Sequence, residues 1–358
     1  MLPEATRAAD EPAGENAEAP PAATPPAAIV ENALPSGPAR SRPIPRRRRR
    51  GNLWILSLDV IHIYHGDGAD VREAIREREP HRRVVAWSDE EAFRAGIGDA
   101  QVLFTSSPPR GLWAGARRLR LIQMMGVGVD NLLPAPDLDS NVPVACLRGV
   151  FAPEVAEHVF AMALALIRGV PALVARQQRR EWLPFASGTL AGRTMGILGR
   201  GAVGLRVARV AEAFGMSVVA FSRSHGALDV VVRASDVLVV CLPRTPGTVG
   251  LVDRRVIAQL PRAALVVVVG RGGVVDEVAL LDALLRGDVG GVVLDVFDEE
   301  PLPQASPWWA APNTILTPHI AGLGLRYVER AVDVLLENVR RLEAGEDLLH
   351  RVDRASGY

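Results

Sequence analysis

The sequence predicts an α/β protein made of two parallel-sheet units, and three observations carry that expectation. Apolar runs such as Val237-Leu238-Val239-Val240 and Val266-Val267-Val268-Val269 contain no polar position, as strands do when helices cover both faces of their sheet. Strand-like and helix-like segments alternate along most of the chain, which is the order of a layered α/β fold. A glycine-rich turn, Gly199-Arg200-Gly201-Ala202-Val203-Gly204, stands between one such strand and a helix.

The elements follow in order. At 358 residues the chain allows two domains plus a tail. Residues 1–51 are rich in alanine and proline and carry the run Arg46–Arg50; they bury too little apolar surface to fold and are expected to be a disordered, solvated tail. A strand is expected at Leu53–Ser57, a charged helix at Ala69–Glu79 and a strand at Arg83–Trp87. The helix Asp89–Gly96, the strand Gln101–Thr105, the helix Gly111–Arg118 and the strand Leu121–Met125 continue the rhythm. A long apolar helix runs from Pro153 to about Arg168, with proline in its first turn. A second rhythm spans Thr194 to Thr317. The last segment, Gly324 to about Gly345, sets Val328, Val332, Leu335, Leu336 and Val339 on one face of a helix. The expected organisation is a flavodoxin-like substrate domain (52–149, completed by 321–350) and a dinucleotide-binding domain (150–320), with a cleft between them.

Composition narrows the function. The formal net charge is zero, so the molecule as a whole has no pull toward nucleic acid or an anionic membrane. All 41 basic residues counted as Lys or Arg are arginine, which excludes Schiff-base and Walker-type lysine chemistry. Two cysteines, Cys146 and Cys241, exclude a disulfide framework and fit a reducing cytoplasm. The most apolar stretch, Val155–Ala175, carries Glu157, His158, Arg168 and Pro171 and reads as a buried helix, so no membrane contact is expected. Glu4, Asp10 and Glu11 stand where a signal peptide would be basic. No His, Cys or carboxylate cluster has metal-ligand spacing, and no metal is expected.

The glycine turn selects a cofactor. Met195–Leu198 is the strand before it and Leu205–Phe214 the helix after it, the setting in which G-x-G-x-x-G admits a pyrophosphate at a helix N-terminus. Gly199, Gly201, Ala202, Val203 and Gly204 are the expected contacts. The next strand, Met216–Phe221, ends in Ser222-Arg223-Ser224, where an NAD enzyme commonly has a carboxylate for the ribose 2′-hydroxyl. A hydroxyl and an arginine suit a 2′-phosphate instead, so NADP(H) is preferred, with NAD(H) possible.

Three further segments place charged residues after apolar strands, at the carboxyl edge of a parallel sheet where ligands bind. They are Gly270-Arg271-Gly272-Gly273, Asp295-Val296-Phe297-Asp298-Glu299-Glu300-Pro301 and Thr317-Pro318-His319. With the segments Val155–His158 and Cys241–Pro246, they make the chain resemble the D-2-hydroxyacid dehydrogenase family from about residue 53 to 350, on the side of its glyoxylate and hydroxypyruvate reductases. The resemblance implies a homodimer formed through the long helices, and hydride transfer between the nicotinamide and a small 2-keto or 2-hydroxy acid. Arg271 then grips the substrate carboxylate and polarises the keto oxygen, which suits the planar, bidentate guanidinium. His319 donates the proton, and Glu300 orients the ring and favours imidazolium near neutrality. Asp295 is expected to hold the nicotinamide carboxamide, and Leu242, Pro243, Thr248 and Gly270 to line the cofactor. Val127 and Gly128, in Met125–Asn131, resemble the loop whose amides hold the substrate carboxylate. His62, His65, His81 and His158 receive no catalytic role.

The chain departs from the family at three places. Val268 stands where asparagine is usual; Thr105–Pro109 carries no charge, which disfavours a phosphorylated substrate; and the stretch between Ser222 and Asp236 fits one helix but no added strand. An inactive relative, or a dinucleotide-sensing binding protein similar to the C-terminal binding protein corepressors, has the same motifs and is the alternative.

Overall fold

The structure is a computed structural model and describes residues 58–358. The expected tail 1–51, its Arg46–Arg50 run and the expected strand Leu53–Ser57 lie outside the described residues.

The first sheet opens with β1 (Val60–Tyr64), α1 (Gly68–Arg78), β2 (Arg83–Trp87), α2 (Glu90–Gly96), β3 (Val102–Thr105), β4 (Leu121–Met124) and β5 (Val144–Ala145). Its strands lie in the order β2-β1-β3-β4-β5 and every pairing is parallel, the flavodoxin-like doubly wound arrangement. β1 flanks the centre of this sheet, yet sequence reasoning missed it, because His62 interrupts its apolar pattern. The ring is buried: Trp87 Nε1 donates to His62 Nδ1 at 3.1 Å, and Nε2 lies 3.1 Å from Asp99 Oδ1. α2 begins where Asp89 caps it, its carboxylate accepting from the Ala92 N–H at 2.7 Å. The helix expected over Gly111–Arg118 does not form. Gly111 sits at φ +68° and Gly115 follows in the same segment, so only a 3-10 turn at Trp113–Gly115 remains.

α3 (Ala152–Ile167) and α4 (Val170–Gln178) lead to the second sheet: β6 (Thr194–Leu198), α5 (Ala202–Ala213), β7 (Ser217–Phe221), α6 (Leu228–Ala234), β8 (Val237–Val240), α7 (Arg254–Ile257), β9 (Leu265–Val268), α8 (Glu277–Leu285), β10 (Gly291–Leu294) and β11 (Thr314–Leu316). The order is β11-β10-β9-β8-β6-β7, again all parallel. β8, β9 and β10 are buried at every position, as strands covered on both faces must be. The short stretch after Ser222 is resolved by the topology. It holds α6 alone, and β7 is the sheet edge where the 3-2-1-4-5-6 order would add one more strand. The edge is trimmed, and the strand order reverses between β6 and β8.

The closing helix α9 (Tyr327–Glu343) returns to the first sheet: Ala331, Val332, Leu335 and Val339 share one apolar cluster with Ile61, Ile63, Val71 and Ile75. Beyond it, the Asn338 side chain donates to Gln123 Oε1 at 2.7 Å and accepts from the Leu349 N–H at 2.7 Å, pinning the chain that follows. Among the described residues no single helix is long and apolar enough to cross a membrane.

Candidate active site

The glycine turn is built for a close approach by an anion. Gly199 adopts φ +117°, and a Cβ there would lie 2.9 Å from the Cys241 carbonyl oxygen, so only glycine fits the crevice between β6 and β8. A Cβ on Gly204 would strike the Gly199 carbonyl, whereas nothing lies within 4 Å of one on Gly201. The turn is therefore closed at its ends and open at its middle. α5 starts at Ala202, three residues before the expected Leu205, so the amides of Ala202 and Val203 belong to a first turn without intrahelical acceptors. This donor set fits a pyrophosphate. At the end of β7, Ser222 and His225 exchange two backbone hydrogen bonds, 2.8 and 3.0 Å, which fix Arg223 at the tip of a tight turn. Among the described residues the Arg223 guanidinium has no hydrogen-bond or ion-pair partner; it lies 5.8 Å from the centre of the Tyr358 ring.

Leu242 and Pro243 follow β8, and Gly270 follows β9. A Cβ on Gly270 would come within 2.9 Å of the Leu242 amide, so these two loops pack backbone to backbone. The Thr248 hydroxyl donates to the Pro243 carbonyl at 2.6 Å and accepts from the Thr245 N–H at 2.8 Å. It thus braces the Leu242-Pro243 turn through its own hydrogen bonds.

Arg271, Glu300 and His319 follow β9, β10 and β11, three neighbouring parallel strands, and so emerge at one edge of the sheet. His319 Nδ1 lies 2.8 Å from Glu300 Oε2, which leaves Nε2 for a substrate. The other Glu300 oxygen accepts the Phe297 N–H at 2.9 Å, so the carboxylate is itself oriented. His319 has φ +54°, a left-handed conformation that a histidine holds only when its surroundings impose it. Asp295 imposes it here. Buried, it accepts from the Thr317 hydroxyl (2.6 Å) and from the amides of Ile320 (2.9 Å) and Ala321 (3.0 Å), and its own carbonyl takes the His319 N–H at 2.9 Å. Both Asp295 oxygens are engaged in holding the His319 loop, a positioning part that sequence reasoning had not given it.

His158, set aside in the sequence, also belongs to this layer. From α3 its Nε2 reaches Thr317 Oγ1 at 3.1 Å and stands 3.8 Å from Asp295 Oδ1; burial holds its affinity for a proton below the ordinary histidine value, against the pull of Asp295. The available signal was its place in the Val155–His158 segment.

Arg271 joins the two sheets. Its Nη1 donates to the Gly270 carbonyl at 2.8 Å and its Nε to Asp130 Oδ1 at 3.4 Å. It passes so close over Gly128 that a Cβ there would lie 2.6 Å from Nε and nearer still to Nη2. Asp130, within the expected substrate loop but assigned no role, is therefore the partner that steadies the guanidinium. Val127, beside it, is exposed. Val268, the departure from asparagine, packs in the apolar cluster under β9; the Arg271 loop is tied instead by the Gly273 N–H, which donates to Asp298 Oδ1. Tyr327 donates to the Met125 carbonyl at the base of the substrate loop, and burial, with Asp67 nearby, pushes its phenol up to about 12. Among the described residues no group of three metal-ligating side chains converges.

Residues 160–321 match the family profile described as D-isomer specific 2-hydroxyacid dehydrogenase, NAD binding domain. The glyoxylate/hydroxypyruvate reductase A of Salmonella typhimurium is 33% identical over 306 residues, 80% of this chain and 95% of that protein. Among solved structures, a D-isomer specific 2-hydroxyacid dehydrogenase from Xanthobacter autotrophicus in complex with NADPH and MES is 31% identical, with a TM-score of 0.74, covering 84% of this chain and 100% of that one. An NADPH-dependent glyoxylate/hydroxypyruvate reductase from Sinorhizobium meliloti, in complex with NADP and sulfate, is 29% identical with a TM-score of 0.76, covering 84% and 99%.

Proposed function

We propose that this chain, which belongs to the D-isomer specific 2-hydroxyacid dehydrogenase family, reduces a small unphosphorylated 2-keto acid of the glyoxylate or hydroxypyruvate type, with NADPH as its preferred donor. The observation that carries the reading is the His319–Glu300 pair at 2.8 Å on a loop anchored by buried Asp295, opposite the substrate loop on which Arg271 rests.

In the direction of reduction, Arg271 holds the substrate carboxylate through its N–H edge and draws electron density toward the keto oxygen. The amides of Val127 and Gly128 complete the carboxylate cradle. His319, protonated, gives its Nε2 proton to the keto oxygen, and Glu300 stabilises the imidazolium through Nδ1 and keeps Nε2 turned to the substrate. A bound nicotinamide would supply the hydride for C2, while the keto oxygen takes its proton from His319. In the reverse direction His319 takes the hydroxyl proton. Gly199, Gly201, Gly204 and the first amides of α5 would hold the pyrophosphate, Leu242, Pro243, Thr248 and Gly270 would wall the cofactor, and Ser222 with Arg223 would take the 2′-phosphate. NADP complexes of the relatives from Xanthobacter autotrophicus and Sinorhizobium meliloti support that preference. The domain organisation 52–149 plus 321–350 and 150–320 puts this chemistry in the cleft between them.

The chain acts as a homodimer through the α3–α4 arm. α4 buries none of its residues, and Leu173, Val174, Leu183, Phe185 and the 96%-exposed Trp182 leave an apolar face that a second copy covers. Both cysteines are free thiols, which agrees with a cytoplasmic site. The test is turnover of glyoxylate, hydroxypyruvate, pyruvate and phenylpyruvate by the full chain with NADPH and NADH in parallel. Turnover of at least one acid, faster with NADPH, is expected; a folded protein that binds NADPH and reduces none of them overturns the proposal.

A further inference from the structure

We infer that Tyr358 is a positioning residue for Arg223 and thereby for the 2′-phosphate end of the cofactor, an inference that rests on the reading of Arg223 given above. After α9 the chain does not leave the protein. His350 O accepts the Cys146 N–H at 3.1 Å and the Val352 N–H donates to Val144 O at 2.8 Å, so residues 350–352 lie along β5 with an antiparallel bridge between Ala145 and Arg351. Val352 is buried there, and Arg354 donates to the carbonyls of Leu138 and Asp139. The chain then closes on itself: the Gly357 N–H donates to Asp353 O at 2.9 Å and the Asp353 N–H to Tyr358 O at 3.2 Å. This closed turn fixes the backbone of Tyr358 and presents its ring to two cations. Arg223 Cζ lies 5.8 Å from the ring centre and Arg148 Cζ 5.7 Å from it.

Arg148 and Arg223 come from different sheets. Arg148 follows β5 on the chain that runs into α3, next to Gly149, whose added Cβ would lie 3.1 Å from the Ala202 Cβ at the start of α5. Arg223 ends β7, the trimmed edge. With no further strand beyond β7, the aromatic ring supplies the contact that holds the guanidinium. A ring grips a guanidinium from the side of its π face and leaves its in-plane N–H donors unused. A contact of this kind uses none of the hydrogen bonds an arginine needs to receive a phosphate, and it agrees with the absence of any hydrogen-bond partner for Arg223 among the described residues. Because NADH has no 2′-phosphate, the effect falls on NADPH.

The experiment is steady-state kinetics of Tyr358→Ala, Tyr358→Phe, Arg223→Ala and the Arg223→Ala/Tyr358→Ala double variant in the full chain, with both cofactors. Tyr358→Ala is expected to raise KM for NADPH about two- to fivefold, the strength of an exposed cation–π contact, and to lower the NADPH-over-NADH ratio of kcat/KM by the same factor. Tyr358→Phe, which keeps the ring, restores the parent ratio, and the double variant is no worse than Arg223→Ala. Equal losses with both cofactors in Tyr358→Ala, or failure of phenylalanine to restore the ratio, overturn the inference and leave the NADPH reading standing. An Arg223→Ala variant that keeps its NADPH preference overturns both.

Discussion

Gly128→Ala separates the function of Arg271 from its contribution to the fold. Gly128 does not adopt a positive φ, so alanine costs nothing in the backbone. Its Cβ, however, would sit 2.6 Å from Arg271 Nε and 2.6 Å from Asp130 Oδ1. The atoms that must move are the ends of two flexible side chains, and stability changes little. Loss of glycine freedom in the unfolded chain even adds about 0.4–1 kcal/mol to it. The site loses what Arg271 provides. A charge-assisted hydrogen bond of this kind contributes about 1.5–3 kcal/mol, and 1.4 kcal/mol is a factor of ten, so kcat/KM for hydroxypyruvate falls roughly ten- to a hundredfold. The assay is NADPH oxidation over a range of keto acid concentrations, with a thermal melt of the same preparation. A variant with parent kcat/KM refutes the claim that the guanidinium over Gly128 holds the substrate. A variant whose melting temperature collapses along with its activity refutes the claim that the displacement is cheap for the fold.

Other expectations follow from the same geometry. Glu300→Gln keeps the shape of the partner but removes its charge, and kcat falls about ten- to a hundredfold with little change in KM for the cofactor, as initial rates at neutral pH will read. Glu277, whose Oε1 accepts the Asp298 N–H at 2.6 Å, is pushed up to about 7 from the usual 4.5, chiefly by burial. A carboxyl raised on folding contributes stability below about pH 4.5 that is lost as pH rises through about 7, so Glu277→Gln flattens this part of the profile by about 1–3 kcal/mol. Urea unfolding of both proteins at several pH values between these limits checks it, and identical slopes contradict it. Trp182→Asp, which puts a charge on the exposed apolar arm, shifts the dimer toward monomer in sedimentation equilibrium, and an unchanged mass contradicts that interface.

Much of this was legible because the chemistry sits on strongly patterned segments. Valine-rich β8, β9 and β10 have no polar position to confuse their period, and each charged loop after them is announced by glycine, proline or a cluster of charges. What was not legible depends on contacts far apart in sequence. β1 was hidden because its buried His62 is made tolerable only by Trp87 and Asp99, and the expected helix at Gly111–Arg118 lost to local glycine conformation. Asp130 and His158 lie in segments the sequence marks, but their roles depend on partners, Arg271 and Thr317, more than a hundred residues away. Asp295 was singled out in the sequence, but that both its oxygens anchor the His319 loop is a fact of folded geometry. The stretch after Ser222 is short because it holds α6 alone, and the strand order shows the sheet edge trimmed at β7.

The central claim is that His319, oriented by Glu300, delivers the proton in reduction of a 2-keto acid. It is tested most directly by a single-turnover measurement in which the parent protein and His319→Ala, each loaded with NADPH, are mixed with hydroxypyruvate and the loss of the reduced cofactor is followed. Fast oxidation is expected from the parent protein, and a rate lowered by about two to four powers of ten in the variant, the usual worth of a positioned acid, with NADPH binding retained. Equal rates in the two proteins would contradict it.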